Sequence, residues 1–151
     1  NEKLAKLAKE LSLHRDIYII GRGMSYPVAR EIALKIKEIS YIHAEGMMGG
    51  ELKHGTLALI EKGTPVISLI PKDDEGIISN AKEVEARGGR LLAITNANDH
   101  IFDSIVVPAR SNEDFCILSG IVGQLLAYYI AREKGLPIDK PRNLAKSCTV
   151  K

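Results

Sequence analysis

The sequence has little of several residue types on which large classes of proteins depend. Among its 151 residues there is no tryptophan, and there are two phenylalanines and two cysteines, Cys116 and Cys148. Cysteines this few and this widely spaced exclude a disulfide scaffold, so we expect a reducing, cytoplasmic setting. The net charge is only +2, acidic and basic residues are interleaved, and aromatic residues make up 5% of the chain. These features argue against a nucleic-acid partner.

Long hydrophobic runs are also scarce, with one exception at residues 115–131. This segment falls short of the ~20 residues that a membrane-spanning helix needs, and it includes Ser119 and Gln124. We predict that it is a buried core helix and that the protein has no membrane partner. The chain opens at Asn1 without a charged and apolar leader, so we expect no secretion signal and an origin within a longer protein.

Apolar runs that end at glycine or proline alternate with stretches of helical periodicity. The runs predict strands over residues 16–21, 64–70, 90–96 and 104–108, with a weaker signal over 42–47. The periodic stretches predict helices over residues 2–13, 25–41, 73–88 and 112–134, with N-terminal caps at Ser25, at Asp73 or Asp74, and at Asn112. This alternation predicts a single α/β domain, 1–151, in which a parallel sheet carries helices on both faces.

The last part of the sequence, residues 137–151, follows no clear period and contains Pro141. It nevertheless carries apolar residues at Leu144 and Val150. We therefore expect an irregular tail that packs back on the domain and closes a site.

The helix after the first strand carries the most informative polar pattern. Glu31, Lys35 and Glu38 fall within about 40° to 60° of one another on one helical face, and His43 and His54 follow. A carboxylate can take a proton from a substrate while a neighbouring ammonium stabilises the oxyanion left behind. An ordinary surface ion pair is the alternative interpretation. The position after a strand and a glycine turn favours a proton-transfer site, because open α/β sheets bind ligands there.

A glycine turn precedes this helix. Gly21-Arg22-Gly23 follows a predicted strand, as in dinucleotide-binding proteins, but Tyr26 replaces the third glycine of the G-x-G-x-x-G pattern. We therefore expect no nicotinamide or flavin cofactor. The turn is predicted instead to face a phosphate or a sugar, through Gly23 and Ser25.

Glu51 and His54 have the spacing of a carboxylate-bridged metal site. Such sites need two E-x-x-H motifs on paired helices, and the chain contains one. His54 also precedes Gly55 at a predicted helix end, where the helix dipole favours a charged histidine. An acid/base or capping role is therefore preferred for His54, and no metal is expected.

Two blocks of sequence resemble a known family. They are residues 31–55 (EIALKIKEISYIHAEGMMGGELKHG) and residues 139–150 (DKPRNLAKSCTV), and the likeness extends from Gly21 to the C-terminus. The blocks resemble the isomerase part of the glucosamine-6-phosphate synthases, also called glutamine–fructose-6-phosphate aminotransferases, and specifically the second of their two sugar-isomerase (SIS) domains. The resemblance implies an SIS-type three-layer αβα sandwich with a mostly parallel, flavodoxin-like sheet.

The resemblance also implies roles for individual residues. Glu38 would move a proton between C1 and C2 of an open-chain hexose phosphate, and Lys35 and Glu31 would complete the polar cluster. His54 would be the acid or base that opens the sugar ring, supplied to the neighbouring subunit's site, so the active unit would be a homodimer. Lys146 would engage the sugar carbonyl as an imine.

Other parts of the family pattern concern the tail and the missing domains. Ala145 is implied beside Lys146 as a substrate-binding residue, whereas Lys151 stands where the family usually ends in Glu. A glutaminase domain and a first SIS domain would be partners in the same longer chain, which would convert fructose 6-phosphate and glutamine into glucosamine 6-phosphate and glutamate. Without them, we expect this chain to fold and dimerise but not to turn over.

Two other functions remain open at this point. One is a stand-alone, single-domain sugar-phosphate isomerase that needs no ammonia. The other is a sugar-phosphate-binding module within a regulatory protein, which would not need Glu38 and Lys146 as reactive groups.

Overall fold

The computed structural model describes residues 2–98 and 101–144, which form one α/β unit. The strands are β1 (Asp16–Gly21), β2 (His43–Met48), β3 (Pro65–Ile70), β4 (Arg90–Thr95) and β5 (Ser104–Val106). The helices are α1 (Glu2–Leu11), α2 (Ser25–Ser40), α3 (Glu75–Glu85) and α4 (Asn112–Glu133). Two short 3₁₀ helices, Gly49–His54 and Thr56–Leu59, connect β2 to β3. The predicted alternation of strands and helices is confirmed.

The five strands form one sheet in the order β2-β1-β3-β4-β5, and every neighbouring pair is parallel. This is the strand order of flavodoxin-like folds, as the resemblance implied. The weakly predicted strand over 42–47 is present as β2, which lies at an edge of the sheet. Its signal is weak because only Ala44 and Met47 of its six residues are buried, whereas β1 and β3 are buried almost throughout.

Helices cover both faces of the sheet and enclose two apolar cores. On one face, α1, α2 and α4 bury residues such as Ile36 and Phe115 against Ile19 of β1. On the other face, α3 and the first 3₁₀ helix bury Ile77 and Leu52 in the same core as Ile20. Neighbouring residues of β1 therefore point into different cores, as the two-residue period of a strand requires. The predicted three-layer sandwich is confirmed.

Two of the predicted helix caps are wrong. Ser25 is the first residue of α2, is buried, and follows Met24, whose backbone is already helical (φ −64°, ψ −23°). The helix grows directly out of the turn after β1, so no extended capping residue precedes it. At α4, Ser111 rather than Asn112 is the cap: its backbone is extended and its hydroxyl accepts from the Asp114 N–H at 3.2 Å.

The third predicted cap is confirmed at Asp74, whose carboxylate accepts from the Ile77 N–H at 3.1 Å.

Helix α4 is long and apolar enough to cross a membrane, judged by length and composition alone. It nevertheless belongs to the layer of helices on one face of the sheet, because its residues Phe115, Leu126 and Ile130 are fully buried in the core. The prediction of a core helix is confirmed.

Helix α2 lies unusually close to both of its neighbours, because a glycine stands at each contact. A Cβ atom on Gly46 of β2 would lie 2.5 Å from the Ala29 carbonyl oxygen and 2.5 Å from the Arg30 Cα. A Cβ on Gly123 of α4 would lie 2.3 Å from a side-chain carbon of Ile32. The Gly46 contact is with backbone atoms, which cannot move without displacing the whole helix.

We therefore expect Gly46→Ala to lower the free energy of unfolding by roughly 1–3 kcal/mol, because α2 must shift to admit the methyl group. Gly50→Ala is the matched control, since a Cβ there would meet no atom within 4 Å. Its effect should stay below about 0.5 kcal/mol. Urea unfolding followed by circular dichroism measures both values, and equal stabilities for the two variants would contradict the close seating of α2.

Candidate functional site

The predicted polar cluster is present on the solvent-facing side of α2. The Lys35 Nζ lies 2.7 Å from the Glu38 Oε2 and 3.5 Å from the Glu31 Oε1. The side chains of Lys35 and Glu38 are 31% and 28% exposed, so both are partly shielded and still reachable from solvent. The structure therefore brings together two carboxylates and an ammonium, as the helical spacing predicted.

The charge state of Lys35 follows from these contacts. The hydrogen bond to Glu38 raises the pKa of the Lys35 amine above its ordinary value, and this effect outweighs the opposing effect of burial. Lys35 therefore stays protonated at neutral pH. A protonated amine can stabilise an oxyanion, but it cannot attack a carbonyl, because the nucleophile must first lose its proton.

A surface groove of about 530 Å³ opens beside Glu38 at the end of α2. Its lining includes Glu38 of α2, Tyr41 directly after that helix, and Arg142 and Leu144 from the tail. The Arg142 N–H donates to the Tyr41 Oη at 2.9 Å, across 101 positions of sequence. In the described part of the tail, residues 137–144 form no helix or strand, and Arg142 contacts the end of α2. That the tail closes a site remains a prediction. Ala145 and Lys146 lie outside the described residues.

His54 lies in a different place from Glu38. It ends the first 3₁₀ helix, is 71% exposed, and its Nδ1 lies 3.1 Å from the Glu51 Oε2. That helix follows the carboxyl end of β2, whereas α2 leads into its amino end, and a six-residue strand is about 20 Å long. The two helices also bury their apolar residues on opposite faces of the sheet. Within one chain the structure therefore does not bring His54 and Glu38 together.

Gly23 and Ser25 also lie away from the groove. They stand at the start of α2, more than three helical turns before Glu38, which is about 20 Å along the axis. Gly23 is exposed with φ 49°, while Ser25 is buried. Sugar or phosphate binding by Gly23 and Ser25 remains a prediction, and it would concern a place apart from Glu38.

Among the described residues, no group of three or more His, Cys, Asp or Glu side chains is placed to hold an ion. A larger cavity of about 590 Å³ lies at the carboxyl ends of β3 and β4, lined by residues that include Lys72, Asp73 and Asn96. It is at the opposite end of the sheet from the Glu38 groove, and we assign it no role.

The sequence analysis missed Tyr41, which contacts the tail beside Glu38. Arg142 lies in the second block of resemblance, but nothing local connects it to a residue 101 positions earlier. The sequence signal that could have indicated Tyr41 is its position after the last residue of α2. Glycine or asparagine is common there in other helices, whereas this chain has tyrosine.

Comparison with known proteins agrees with this architecture. Residues 10–133 match the family described as SIS domain. The glutamine–fructose-6-phosphate aminotransferases (isomerizing) of Clostridium acetobutylicum and Lactiplantibacillus plantarum are 49% and 50% identical to the chain over 99% and 96% of its length. These alignments cover 26% and 25% of the two relatives, so the chain spans about a quarter of their length.

A solved structure gives the same result. The C-terminal domain of glucosamine-fructose-6-phosphate aminotransferase from Francisella tularensis superimposes with a TM-score of 0.85 at 36% identity. The superposition covers 93% of this chain and 42% of that chain. The resemblance inferred from residues 31–55 and 139–150 is confirmed.

The raised pKa of Lys35 predicts how its ion pair affects stability at different pH values. The contribution is fully present below the ordinary lysine pKa of 10.5 and is lost as the pH rises through the higher pKa of the folded state. We expect Lys35→Met to lower the free energy of unfolding at pH 7 by less than about 1 kcal/mol, because the pair is partly open to solvent.

The same difference should shrink toward zero above pH 10.5. Lys37→Met is the matched control, because among the described residues Lys37 makes no ion pair and it lies on the same helix. Urea titrations of the two variants at neutral and alkaline pH make the comparison. A Lys35→Met deficit that persists unchanged at alkaline pH would contradict this electrostatic origin.

Proposed function

This chain belongs to the SIS domain family, and on that premise we propose that it is the second isomerase domain of a glucosamine-6-phosphate synthase. The observation that carries the proposal is the pair of Lys35 and Glu38, 2.7 Å apart, beside a groove that the tail also lines. Similarity to curated synthases over 96–99% of the chain supports the same assignment. The whole protein would convert fructose 6-phosphate and glutamine into glucosamine 6-phosphate and glutamate.

In this proposal Glu38 acts as the base and then the acid of the isomerisation. Its carboxylate takes a proton from C1 of the open-chain sugar and returns a proton to C2. The intermediate has a C1–C2 double bond, and the Lys35 ammonium stabilises the negative charge that develops on the sugar oxygen. Glu31, 3.5 Å from the same ammonium, helps to keep Lys35 charged and in place.

The amine that engages the sugar carbonyl is a different residue from Lys35. Lys35 is held protonated, so the nucleophilic role is left to Lys146, which lies outside the described residues. Its position in the chain supports the assignment: Leu144 lines the Glu38 groove, and two residues of chain span at most about 7 Å. Ala145 is proposed to contact the sugar from the same segment.

His54 is proposed to open the sugar ring in the site of a second subunit. It lies at the opposite end of β2 and on the opposite face of the sheet from Glu38 in the same chain. That separation supports a homodimer in which each site receives Glu38 from one chain and His54 from the other. The ammonia-producing glutaminase domain and the first SIS domain would be further partners, in a cytoplasmic protein.

Glu38→Gln in the full-length synthase that carries this segment should reduce glucosamine 6-phosphate formation by about 10²-fold or more, because the amide cannot accept the proton. Glu75→Gln is the matched control, because this exposed glutamate begins α3 at the opposite end of the sheet from the groove, and it should keep normal turnover. Glutamine hydrolysis, assayed separately, should be unaffected in both. Undiminished sugar turnover in Glu38→Gln would refute the proposed role.

The exchange of His54 between subunits has its own test. Glu38→Gln dimers and His54→Asn dimers, each inactive, are mixed and allowed to exchange subunits. If the histidine acts across the interface, each mixed dimer has one intact site, and about a quarter of wild-type turnover should return at equal concentrations. If both residues act within one chain, every site in the mixture is defective, and no activity would return.

The isolated 151-residue chain should neither bind fructose 6-phosphate tightly nor isomerise it, because it spans about a quarter of the synthases that it matches and would hold only part of the proposed site. Calorimetric titration with fructose 6-phosphate and with glucosamine 6-phosphate, beside an isomerase assay, measures both properties. Turnover by this chain alone would favour a self-sufficient sugar-phosphate isomerase over the synthase.

A further inference from the structure

The first 3₁₀ helix, Gly49–His54, depends on its surroundings for its conformation. It is six residues long, whereas 3₁₀ runs of more than three or four residues are uncommon, because their hydrogen bonds are poorly aligned. Met48 before it offers no capping oxygen, and glycines occupy its first two positions and the position after it, Gly55. Glycine loses more conformational freedom on folding than any other residue. The place of His54, the last residue of this helix, is therefore set by what the helix packs against.

The three sides of this helix have different surroundings. A 3₁₀ helix has three residues per turn, so residues three apart lie one above the other. Gly49 and Leu52 share the side that is buried. Glu51 and His54 share an exposed side, where the His54 Nδ1 lies 3.1 Å from the Glu51 Oε2. What holds the buried side thus also fixes the direction in which His54 is presented.

Helix α3 is the element on which the buried side packs. Leu52 is fully buried in the same apolar core as Ile77 of α3. The approach is close at Gly49, because a Cβ atom there would lie 2.5 Å from the Asn80 Oδ1 and 2.8 Å from the Ile77 Cδ1. The first residue of the 3₁₀ helix therefore lies directly against α3.

An ion pair joins the other end of the 3₁₀ helix to α3. The Lys53 Nζ lies 2.9 Å from the Glu83 Oε1, and Glu83 follows Asn80 by three residues on the same side of α3. The Glu83 side chain is 24% exposed, and its second oxygen, Oε2, is buried with no hydrogen-bond partner among the described residues. A carboxylate that is largely removed from water depends more on its cation than an exposed one does. This cation is on Lys53, the residue directly before His54.

We propose that Glu83 is a positioning residue for His54 and acts through Lys53. Gly49 against Asn80 and Lys53 paired with Glu83 hold the 3₁₀ helix at two places about one turn of α3 apart. His54 then projects from a fixed backbone, which matters because a displacement of about 1 Å can slow a reaction about 10²-fold. This proposal rests on the proposed function, because it takes its effect from the acid/base role of His54.

Two variants remove the ion pair, one from each side. Glu83→Gln removes the negative charge and keeps the shape of the side chain. Lys53→Met removes the positive charge and keeps most of the length of the side chain. Glu85→Gln is the matched control, because Glu85 is an exposed glutamate of the same helix and makes no ion pair within the part of the chain that the structure describes.

Hydrogen–deuterium exchange on the 151-residue chain measures the hold on the 3₁₀ helix. The peptide that contains the amides of residues 50–55 should exchange at least about twofold faster in both ion-pair variants, because less free energy is needed to open the helix. Exchange in Glu85→Gln should match the wild type. If either ion-pair variant exchanges at the wild-type rate, the proposed hold is wrong.

Kinetics of the full-length synthase test whether this hold serves the reaction. Each variant should lower kcat for glucosamine 6-phosphate formation about tenfold, while glutamine hydrolysis stays unchanged. The double variant should lose no more than the more impaired single variant, because either change breaks the same ion pair. Unchanged sugar turnover, a common loss of both activities, or a double-variant loss that multiplies the two single losses would overturn the proposal.

Subunit exchange shows in which site Glu83 acts. Glu83→Gln dimers are mixed with Glu38→Gln dimers, so that one site of each mixed dimer combines an intact Glu38 with a correctly held His54 from the other chain. Turnover should rise about fivefold on exchange, to about a quarter of the wild-type value. The same rise is expected when Lys53→Met replaces Glu83→Gln. No rise would mean that the pair supports the site of its own chain, which would overturn the proposal.

The mixture of Glu38→Gln and His54→Asn dimers, run in the same assay, separates this failure from that of the proposed function. If that mixture regains turnover and the Glu83→Gln mixture does not, only the positioning role is wrong. If neither mixture regains turnover, His54 does not act across the interface, and the proposed function fails together with this proposal.

Discussion

The close seating of α2 between β2 and α4 is the constraint on which the site depends. Gly46 lets the α2 backbone approach the edge strand, and Gly123 receives Ile32 from the other side. Because apolar residues of α2 are buried at the spacing of one helical face, the rotation of the helix about its axis is fixed. That rotation in turn places Glu31, Lys35 and Glu38 on the side that faces solvent.

Two features distinguish the cluster of Glu31, Lys35 and Glu38 from an ordinary surface ion pair: the protonated state of Lys35 and the groove beside Glu38. A pair of this kind on an exposed helix contributes little to stability and has no other consequence. Here the Glu38 side chain holds Lys35 protonated and also lines a groove that the tail reaches. The arrangement combines a group that can accept a proton, a permanent cation and a space for a ligand, which is what proton transfer beside a carbonyl requires.

The same architecture explains why one chain holds only part of the proposed site. The edge strand β2 separates the Glu38 groove from His54, in position along the strand and across the sheet. A rigid parallel sheet cannot bring these groups together by small movements, because its strands are packed on both faces. A second copy of the chain can supply the histidine without any change in the fold. Assembly is therefore a chemical requirement of the proposed mechanism.

Local sequence determined most of the fold, because strand and helix periodicities and turn residues act over a few positions. The bounds of β1, the sheet class and the face shared by Glu31, Lys35 and Glu38 were all predictable in this way. The cap at Asn112 was mispredicted because the adjacent Ser111 can also cap a helix, and the extended backbone of Ser111 selects it. The cap at Ser25 was mispredicted because the backbone is already helical at Met24, so α2 has no side-chain cap. The edge strand β2 gave a weak signal because only two of its six residues, Ala44 and Met47, are buried.

What the tertiary structure alone decided concerns residues far apart in sequence. The contact of Tyr41 with Arg142 joins positions 101 residues apart, and no periodicity links them. The separation of His54 from Glu38 depends on which end of β2 and which face of the sheet each helix occupies. Residue types and spacing indicated which groups are chemically able to react. Only the packing of helices on the sheet decided which of them meet within one chain.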